Sequence, residues 1–257
     1  MPQFSANLGF LWSGLPLPAA IARAKAAGFA AVECHFPYAV DARVVRAALD
    51  QAELPMLGLN TVRGPVGFNG LAGVPGEVDQ ARLAIEQAVD YAAAVGCHNV
   101  HVMAGIADGE AAMACFVNNL SYACDLAADH GIGILVEALN PYDAPGYLVA
   151  NTQVALAAIN AVAKPNIRLM FDCYHVARTE GDVITRLEAC WDHIGHIQFA
   201  GVPDRGVPRR GDSGAGEVDF GPIFEWIDAR GWRQPLGAEY KTSGLVEDSL
   251  GWMHPSR

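Results

Sequence analysis

A short apolar run followed by a segment of helical period recurs along the whole chain. Brief, continuously apolar runs read as strands buried on both faces, and apolar residues at i, i+3 and i+4 read as helices. The first strand is read at residues 5–9 and is followed by an Ala-rich helix at 17–27, stopped at Gly28. The pattern repeats with a strand at 30–34, a helix from the capping Asp41 to about residue 52, and a strand at 55–60. A Gly/Pro-rich stretch at 61–76 is the longest segment without periodicity, and loops of that length in compact domains are often functional. A helix at 77–95, a strand at 99–103, a helix at about 109–130 and a strand ending at Glu137 follow. Then come a helix at 152–163, a strand ending at Asp172, a helix at 182–190 and a strand ending at Gln198. A polar loop at 201–218, a helix at about 220–230 and a strand ending at Glu239 complete the pattern.

Eight strand–helix units in 257 residues predict a (β/α)8 barrel, with one domain over 1–257. The competing architecture, a doubly wound open sheet, would carry a Gly-rich phosphate turn after its first strand. The turn here, Phe10-Leu11-Trp12-Ser13-Gly14, lacks it.

In a barrel of parallel strands the C-terminal strand ends converge on one mouth, where active sites lie. Glu137, Asp172, Gln198 and Glu239 each close a predicted strand. Singly, each acid also fits a strand-end residue satisfied by a backbone amide or an ion pair. Together, three carboxylates in a semi-enclosed mouth repel and raise each other's pKa, and a divalent cation removes that conflict. An all-oxygen donor set favours Mg²⁺ or Mn²⁺ over Zn²⁺. Residues two apart on a strand share a face, so His196 should follow Gln198, and Lys241 should follow Glu239, into the mouth; Glu33 pairs in the same way with His35, and His101 with Met103. Asp172 and His175, in Asp-Cys-Tyr-His, are close enough to serve one ligand. A metal there could hold vicinal oxygens of a hydroxy-carbonyl compound while flanking carboxylates move a proton between adjacent carbons.

Composition narrows the partners. The chain has 28 acidic against 17 basic residues, a net charge of -11 that repels phosphate backbones, so no nucleic-acid partner is expected. A hydrophobic fraction of 52% supports a large core, yet no apolar run reaches the roughly 18 residues that span a bilayer. The first 22 residues hold no basic side chain, so a secretory n-region is missing and a cytoplasmic protein without a membrane partner is expected. Cys34, Cys97, Cys115, Cys124, Cys173 and Cys190 form no C-x-x-C pair and are expected to be free, buried thiols.

Further segments carry a family resemblance: Phe4–Leu8, Ala31-Val32-Glu33 with Phe36-Pro37-Tyr38, Leu59-Asn60-Thr61, Val100–Gly105, Ile134–Leu139, Asp172 with His175, His196–Arg205, Gly216–Phe220, and Glu239-Tyr240-Lys241 with Gly251-Trp252. In these the chain resembles hydroxypyruvate isomerases of the xylose-isomerase-like TIM-barrel superfamily. The resemblance implies a divalent metal held by Glu137, Asp172, Gln198 and Glu239, with Glu137 and Glu239 exchanging protons with the substrate. The implied reaction takes hydroxypyruvate to tartronate semialdehyde through an enediolate that the cation stabilises, within glyoxylate and carbohydrate-acid metabolism. A small hydroxy-keto acid is then the expected partner. Its carboxylate needs a cation or amide, for which Lys241, Arg205 and His175 are candidates by position. Lys241 could instead reach solvent, and Arg205 could belong to a solvated face with Arg209, Arg210 and Asp212. His101, Glu33 and Asn60 complete the expected substrate-binding set, although His101 could equally pack as a core histidine. Glu33 could accept from a substrate hydroxyl, orient His101, or cap a neighbouring helix.

Two departures stand out. His35 occupies a position where an apolar residue is expected, and the loop 206–216 is glycine-rich and basic, reading as a lid whose arginines favour a longer or more anionic substrate. The same chemistry on a four-carbon acid makes a 2-oxo-tetronate isomerase the alternative. A ketose 3-epimerase would usually carry His in place of Gln198. A zinc-dependent apurinic-site endonuclease conflicts with the negative charge and the few His ligands. A non-catalytic sugar-acid binding protein, the reading from another class, would need a broken acid set, and this set is intact. Pairing through the outer helices and the apolar segment Gly251-Trp252-Met253-His254-Pro255 would give a homo-oligomer.

Overall fold

The computed structural model describes residues 2–211, 214 and 216–253. Eight parallel strands close into a barrel in sequence order. They are β1 (Phe4–Asn7), β2 (Ala31–Cys34), β3 (Met56–Asn60), β4 (Asn99–His101), β5 (Gly133–Glu137), β6 (Ile167–Asp172), β7 (Ile194–Phe199) and β8 (Leu236–Ala238), with β8 pairing back onto β1. Around them lie α1 (Leu17–Ala26), α2 (Ala42–Ala52), α3 (Val78–Val95), α4 (Gly109–Ala128), α5 (Thr152–Val162), α6 (Cys173–Thr179), α7 (Val183–Cys190) and α8 (Phe220–Ala229). The (β/α)8 barrel read from the sequence is the observed fold.

Side-chain alternation decides what each strand gives to the site. In β7, Ile197 and Phe199 face outward, and Phe199 packs on Phe220 and Phe224 of α8 at centroid distances of 5.7 and 4.9 Å. His196 and Gln198 face inward, where both meet Glu33 of β2. Register then sets neighbours at the rim, with Asn7 beside Glu33 and Asp172 beside Gln198. Helix starts follow the capping chemistry: Asp41, Asn151, Asp182 and Asp219 each accept backbone N–H groups from the first turn of α2, α5, α7 and α8.

The structure departs from the sequence reading at the end of β1 and between β6 and β7. β1 ends at Asn7 because that residue opens a turn, its Oδ1 accepting from the Gly9 N–H at 2.9 Å and its carbonyl from Leu11 at 2.8 Å. The β6–β7 crossover carries an extra helix, α6, because Asp172 is at once the last strand residue and the helix cap, accepting the Tyr174 N–H at 2.8 Å. With no loop between strand and helix, no turn residue announces it.

After β8 the chain closes on a 3₁₀ segment, Glu247–Met253. Trp252 there is buried against Phe4 and Phe199, with centroids 4.8 and 5.2 Å away. Burying such a side chain contributes roughly 1.5–3 kcal/mol. Trp252 and Met253 of the segment expected to join an oligomer contact are thus core, while His254 and Pro255 lie outside the described residues. All six cysteines are free, with five buried and Cys115 half-buried. No helix among the described residues is long and apolar enough to cross a membrane.

Candidate active site

The floor of the mouth is a polar network centred on Glu33. Its Oε1 accepts from Asn7 Nδ2 at 3.0 Å and Gln198 Nε2 at 2.8 Å, while Oε2 lies 2.6 Å from His196 Nε2. β8 makes room for it: a Cβ at Gly237 would stand 2.6 Å from Glu33 Oε1. Glu33 therefore orients Gln198 and His196, and neither caps a helix nor meets His101. Asn7 was not anticipated as a site residue, yet its amide also reaches Glu239 Oε1 at 3.1 Å. An amide at the end of the first strand was the available signal, the same one that marked Gln198.

Above the floor, Glu137, Asp172 and Glu239 are all buried, along with Arg205 and His175. Arg205 makes close contacts to the acids. Its Nη2 donates to Glu239 Oε2 at 2.5 Å and Asp172 Oδ2 at 3.1 Å, and Nη1 lies 2.9 Å from His175 Nε2. It is not on a solvated face; bonded to two of the acids, it answers part of the repulsion that the three alone would suffer. The proton affinities divide accordingly. Burial first, then the charges of Glu239 and Asp172, push the Glu137 carboxyl well above its ordinary range. Burial lifts Asp172 to about 7 against the pull of Arg205. Burial would raise Glu239 as well, but Arg205 and His35 outweigh it and hold that carboxyl below the usual range. Burial also lowers His101 and His175 to about 3, so both imidazoles are neutral.

A cavity of about 160 Å³ opens over these groups. Glu137, Glu239, His101, His175, Arg205 and Asn60 line it, as expected for site residues, while Asp172 and Gln198 stand behind its wall. His35, the departure noted in the sequence, also lines it and places Nε2 2.5 Å from Glu239 Oε1. Glycine at position 9 makes that possible, since a Cβ there would stand 2.2 Å from the His35 ring. Sequence reasoning also missed Phe10, Arg63, Asn69 and Asp143 on the walls. Lys241 is exposed and does not line the cavity; strand alternation lapses beyond Ala238, and only its backbone N–H takes part, donating to the Arg205 carbonyl at 2.7 Å. The described part of loop 206–216 does not close over the mouth either. Arg209 pairs with Glu217 at 3.1 Å, and Arg210 donates to the Trp252 carbonyl at 3.2 Å. Asp212, Ser213 and Ala215 lie outside the described residues.

Known proteins share this arrangement of strands. A profile of xylose isomerase-like TIM barrels matches residues 21–255. The chain belongs to that family. The 2-oxo-tetronate isomerase of Cupriavidus necator is 36% identical over 99% of this chain and 98% of its own length. The hydroxypyruvate isomerase of Escherichia coli is 32% identical over the whole of both chains, 100% of each. A solved Brucella melitensis structure, described as a family 2 AP endonuclease, superposes with a TM-score of 0.92 at 34% identity, covering 100% of both chains. The alignments with isomerases run end to end, and the protein is an isomerase of the xylose isomerase-like family.

The donor set of this xylose isomerase-like mouth suits a divalent cation. Ligand atoms of Glu137, Asp172 and His175 lie within 4.8 Å of one another, all buried. Gln198 Oε1 is buried with no hydrogen-bond partner, although the Nε2 of the same amide is held by Glu33. A buried acceptor left unpaired costs about 1–3 kcal/mol, and a cation recovers it. This grouping differs from the expected quartet in one respect: Glu239 is drawn toward Arg205 and His35, and His175 stands nearer to Glu137 and Asp172.

Proposed function

We propose that this protein interconverts short hydroxy-keto acids and their hydroxy-carbonyl isomers by shifting a proton between neighbouring carbons. The observation that carries the reading is the pair Glu137 and Glu239 on the wall of one cavity, beside Asp172 and the unpartnered oxygen of Gln198. The two glutamates come from β5 and from just beyond β8, so they approach the cavity from separate parts of the rim. A carboxylate on one side takes a proton from the carbon bearing the hydroxyl, and a carboxyl on the other returns one to the former carbonyl carbon. For hydroxypyruvate this removes a proton from C3 and adds one to C2, with the hydroxyl proton passing to the neighbouring oxygen, and gives tartronate semialdehyde. Arg205 and His35 hold Glu239 in its ionised form, suited to accept. Burial favours the protonated form of Glu137, suited to donate. Mg²⁺ or Mn²⁺, held by Glu137, Asp172, Gln198 and Glu239, would supply positive charge beside the substrate's two oxygens.

Two substrates have support. Hydroxypyruvate follows from the resemblance in the sequence and from the relative at 32% identity, and 2-oxo-tetronate from relatives at 36% and 35%. The decisive experiment is turnover of both acids by chelator-stripped protein resupplied with Mg²⁺ or Mn²⁺. Conversion restored by metal is the expected result, and turnover of neither acid with metal bound overturns the reading. Glu137→Gln and Glu239→Gln should each lower kcat by about 10²–10⁴-fold with circular dichroism unchanged. Near-normal turnover in either variant sinks the two-carboxylate mechanism.

A further inference from the structure

The cavity holds two arginines in opposite circumstances. Arg205 is buried, and its charge is taken up by Glu239 and Asp172, with Asp143 also 3.8 Å away. Arg63 is exposed at the rim and pairs with no carboxylate among the described residues. Its guanidinium instead lies over the Phe36 ring, 5.3 Å from the centroid. The two cations flank one aromatic wall: Arg205 lies over Phe10 at 5.1 Å, Phe10 meets His35 edge-on at 5.3 Å, and His35 meets Phe36 at 5.7 Å.

A hydroxy-keto acid entering this cavity carries its own negative charge. The inner end offers it Glu137 and Glu239 and an arginine already bonded to two carboxylates. The outer end offers Arg63 and, from the same loop, the amide of Asn69. The loop's backbone is fixed. The Gly70 N–H donates to the Arg63 carbonyl at 2.7 Å, Gly73 to Ala104 at 2.6 Å, and Ile106 to Phe68 at 2.7 Å. Gly70 has φ +121, and a Cβ there would stand 2.4 Å from the Met103 carbonyl oxygen, so the loop can lie this close to β4 only with glycine at that position. Asn69 itself holds a left-handed φ of 52. A guanidinium stacked on an aromatic ring keeps its planar fork while leaving the edge donors free, the geometry that takes a carboxylate in two parallel hydrogen bonds.

We infer that Arg63, with Asn69 beside it, is the carboxylate-recognising end of the cavity: the substrate is a hydroxy-keto acid bound with its reacting carbons toward Glu137 and Glu239 and its carboxylate toward the loop at 61–76. Arg63 is a specificity-determining residue rather than a catalytic one. This inference rests on the isomerase reading above and names the substrate's orientation within it.

The test compares Arg63→Gln and Arg63→Lys with the unaltered, metal-loaded protein. Three probes are used: 2-oxo-tetronate, the neutral four-carbon ketose erythrulose, and binding of erythronate, a hydroxy acid with no carbonyl to isomerise. Arg63→Gln should raise KM for 2-oxo-tetronate about tenfold or more with kcat little changed, because one charge-assisted contact is lost. Erythronate affinity should fall by a similar factor, Arg63→Lys should recover part of it, and erythrulose kinetics should not move. Unchanged KM for the acid together with unchanged erythronate affinity overturns the inference and leaves the isomerase reading standing. An equal loss on erythrulose also overturns it, since that points to a damaged loop. If no acid turns over but erythronate binding still depends on Arg63, the isomerase reading fails and the anion anchor stands.

Discussion

Glu33 and Glu137 are both buried glutamates on parallel strands of one barrel, and they are treated in opposite ways. Glu33 on the floor meets three side-chain nitrogens, from Asn7, Gln198 and His196. Glu137 in the mouth receives no hydrogen bond among the described residues; its nearest nitrogens are His101 Nδ1 at 3.4 Å and His175 Nε2 at 3.7 Å. A buried carboxylate whose hydrogen bonds are all made fixes the groups that make them, whereas one without hydrogen bonds leaves its bonding for a partner to complete. The floor is therefore scaffold, fixing Gln198 and Asn7, while the mouth is where a cation and a substrate complete the bonding. Burial does not separate structural from functional acids here; hydrogen-bond satisfaction does.

Removing each acid in turn breaks that comparison most sharply. Glu33→Ala strips a partner from His196, Gln198 and Asn7 at once and should cost about 3–5 kcal/mol of stability, read from urea unfolding. Glu137→Gln should instead leave the cation-free protein as stable or more stable, because it removes a carboxylate that burial and two neighbouring acids oppose. A loss at Glu137 as large as that at Glu33 would erase the distinction between floor and mouth.

A smaller effect is expected from pH. Asp172 is lifted from 3.8 to about 7 in the folded protein. Between those values the native state still holds a proton that the unfolded chain has released, so stability falls as pH rises through that window. Glu239 works the other way. Its depressed carboxyl stabilises the fold above the ordinary glutamate range, and that contribution disappears as pH falls through its lowered folded value. His101 and His175, held neutral by burial, pull the other way below the ordinary histidine range, so the Asp172 contribution is read against Asp172→Asn: cation-free unaltered protein should lose stability relative to that variant between about pH 5 and pH 8, and Mn²⁺ should remove the loss by replacing the proton at Asp172. Thermal melts with chelator and with Mn²⁺ check this. A melting-temperature gap between the unaltered protein and Asp172→Asn that does not change across the window contradicts the raised carboxyl.

The barrel was legible because its signals are local: apolar runs of strand length, caps such as Asp41 and Asn151, and an acid or amide closing four predicted strands. The mouth was legible only as far as strand ends go. Arg205 lies in a loop, and its inward turn depends on a left-handed φ of 59 and on its carbonyl meeting the Lys241 N–H, neither of which polarity reveals. Arg63 and Asn69 reach the cavity because the aperiodic loop folds back along β4, a contact set by Gly70 against Met103 and invisible in spacing alone. His35 stood out in the sequence as a departure, but its meaning needed Gly9 and Glu239 beside it in space.

The smallest expected effect lies where alternation misleads. Lys241 is two residues beyond Glu239, and a continuing strand would turn both side chains into the mouth. β8 ends at Ala238, however, and the Lys241 side chain is exposed while its backbone supports Arg205. Substitutions of exposed side chains away from special features usually stay within about 0.5 kcal/mol. Lys241→Ala should therefore leave KM, kcat and melting temperature close to their original values, whereas Arg63→Gln shifts KM for the acid alone. Should Lys241→Ala raise KM for the acid as strongly, the carboxylate end of the cavity would have to be redrawn toward β8, and the functional mouth would extend past the last residue of the strand.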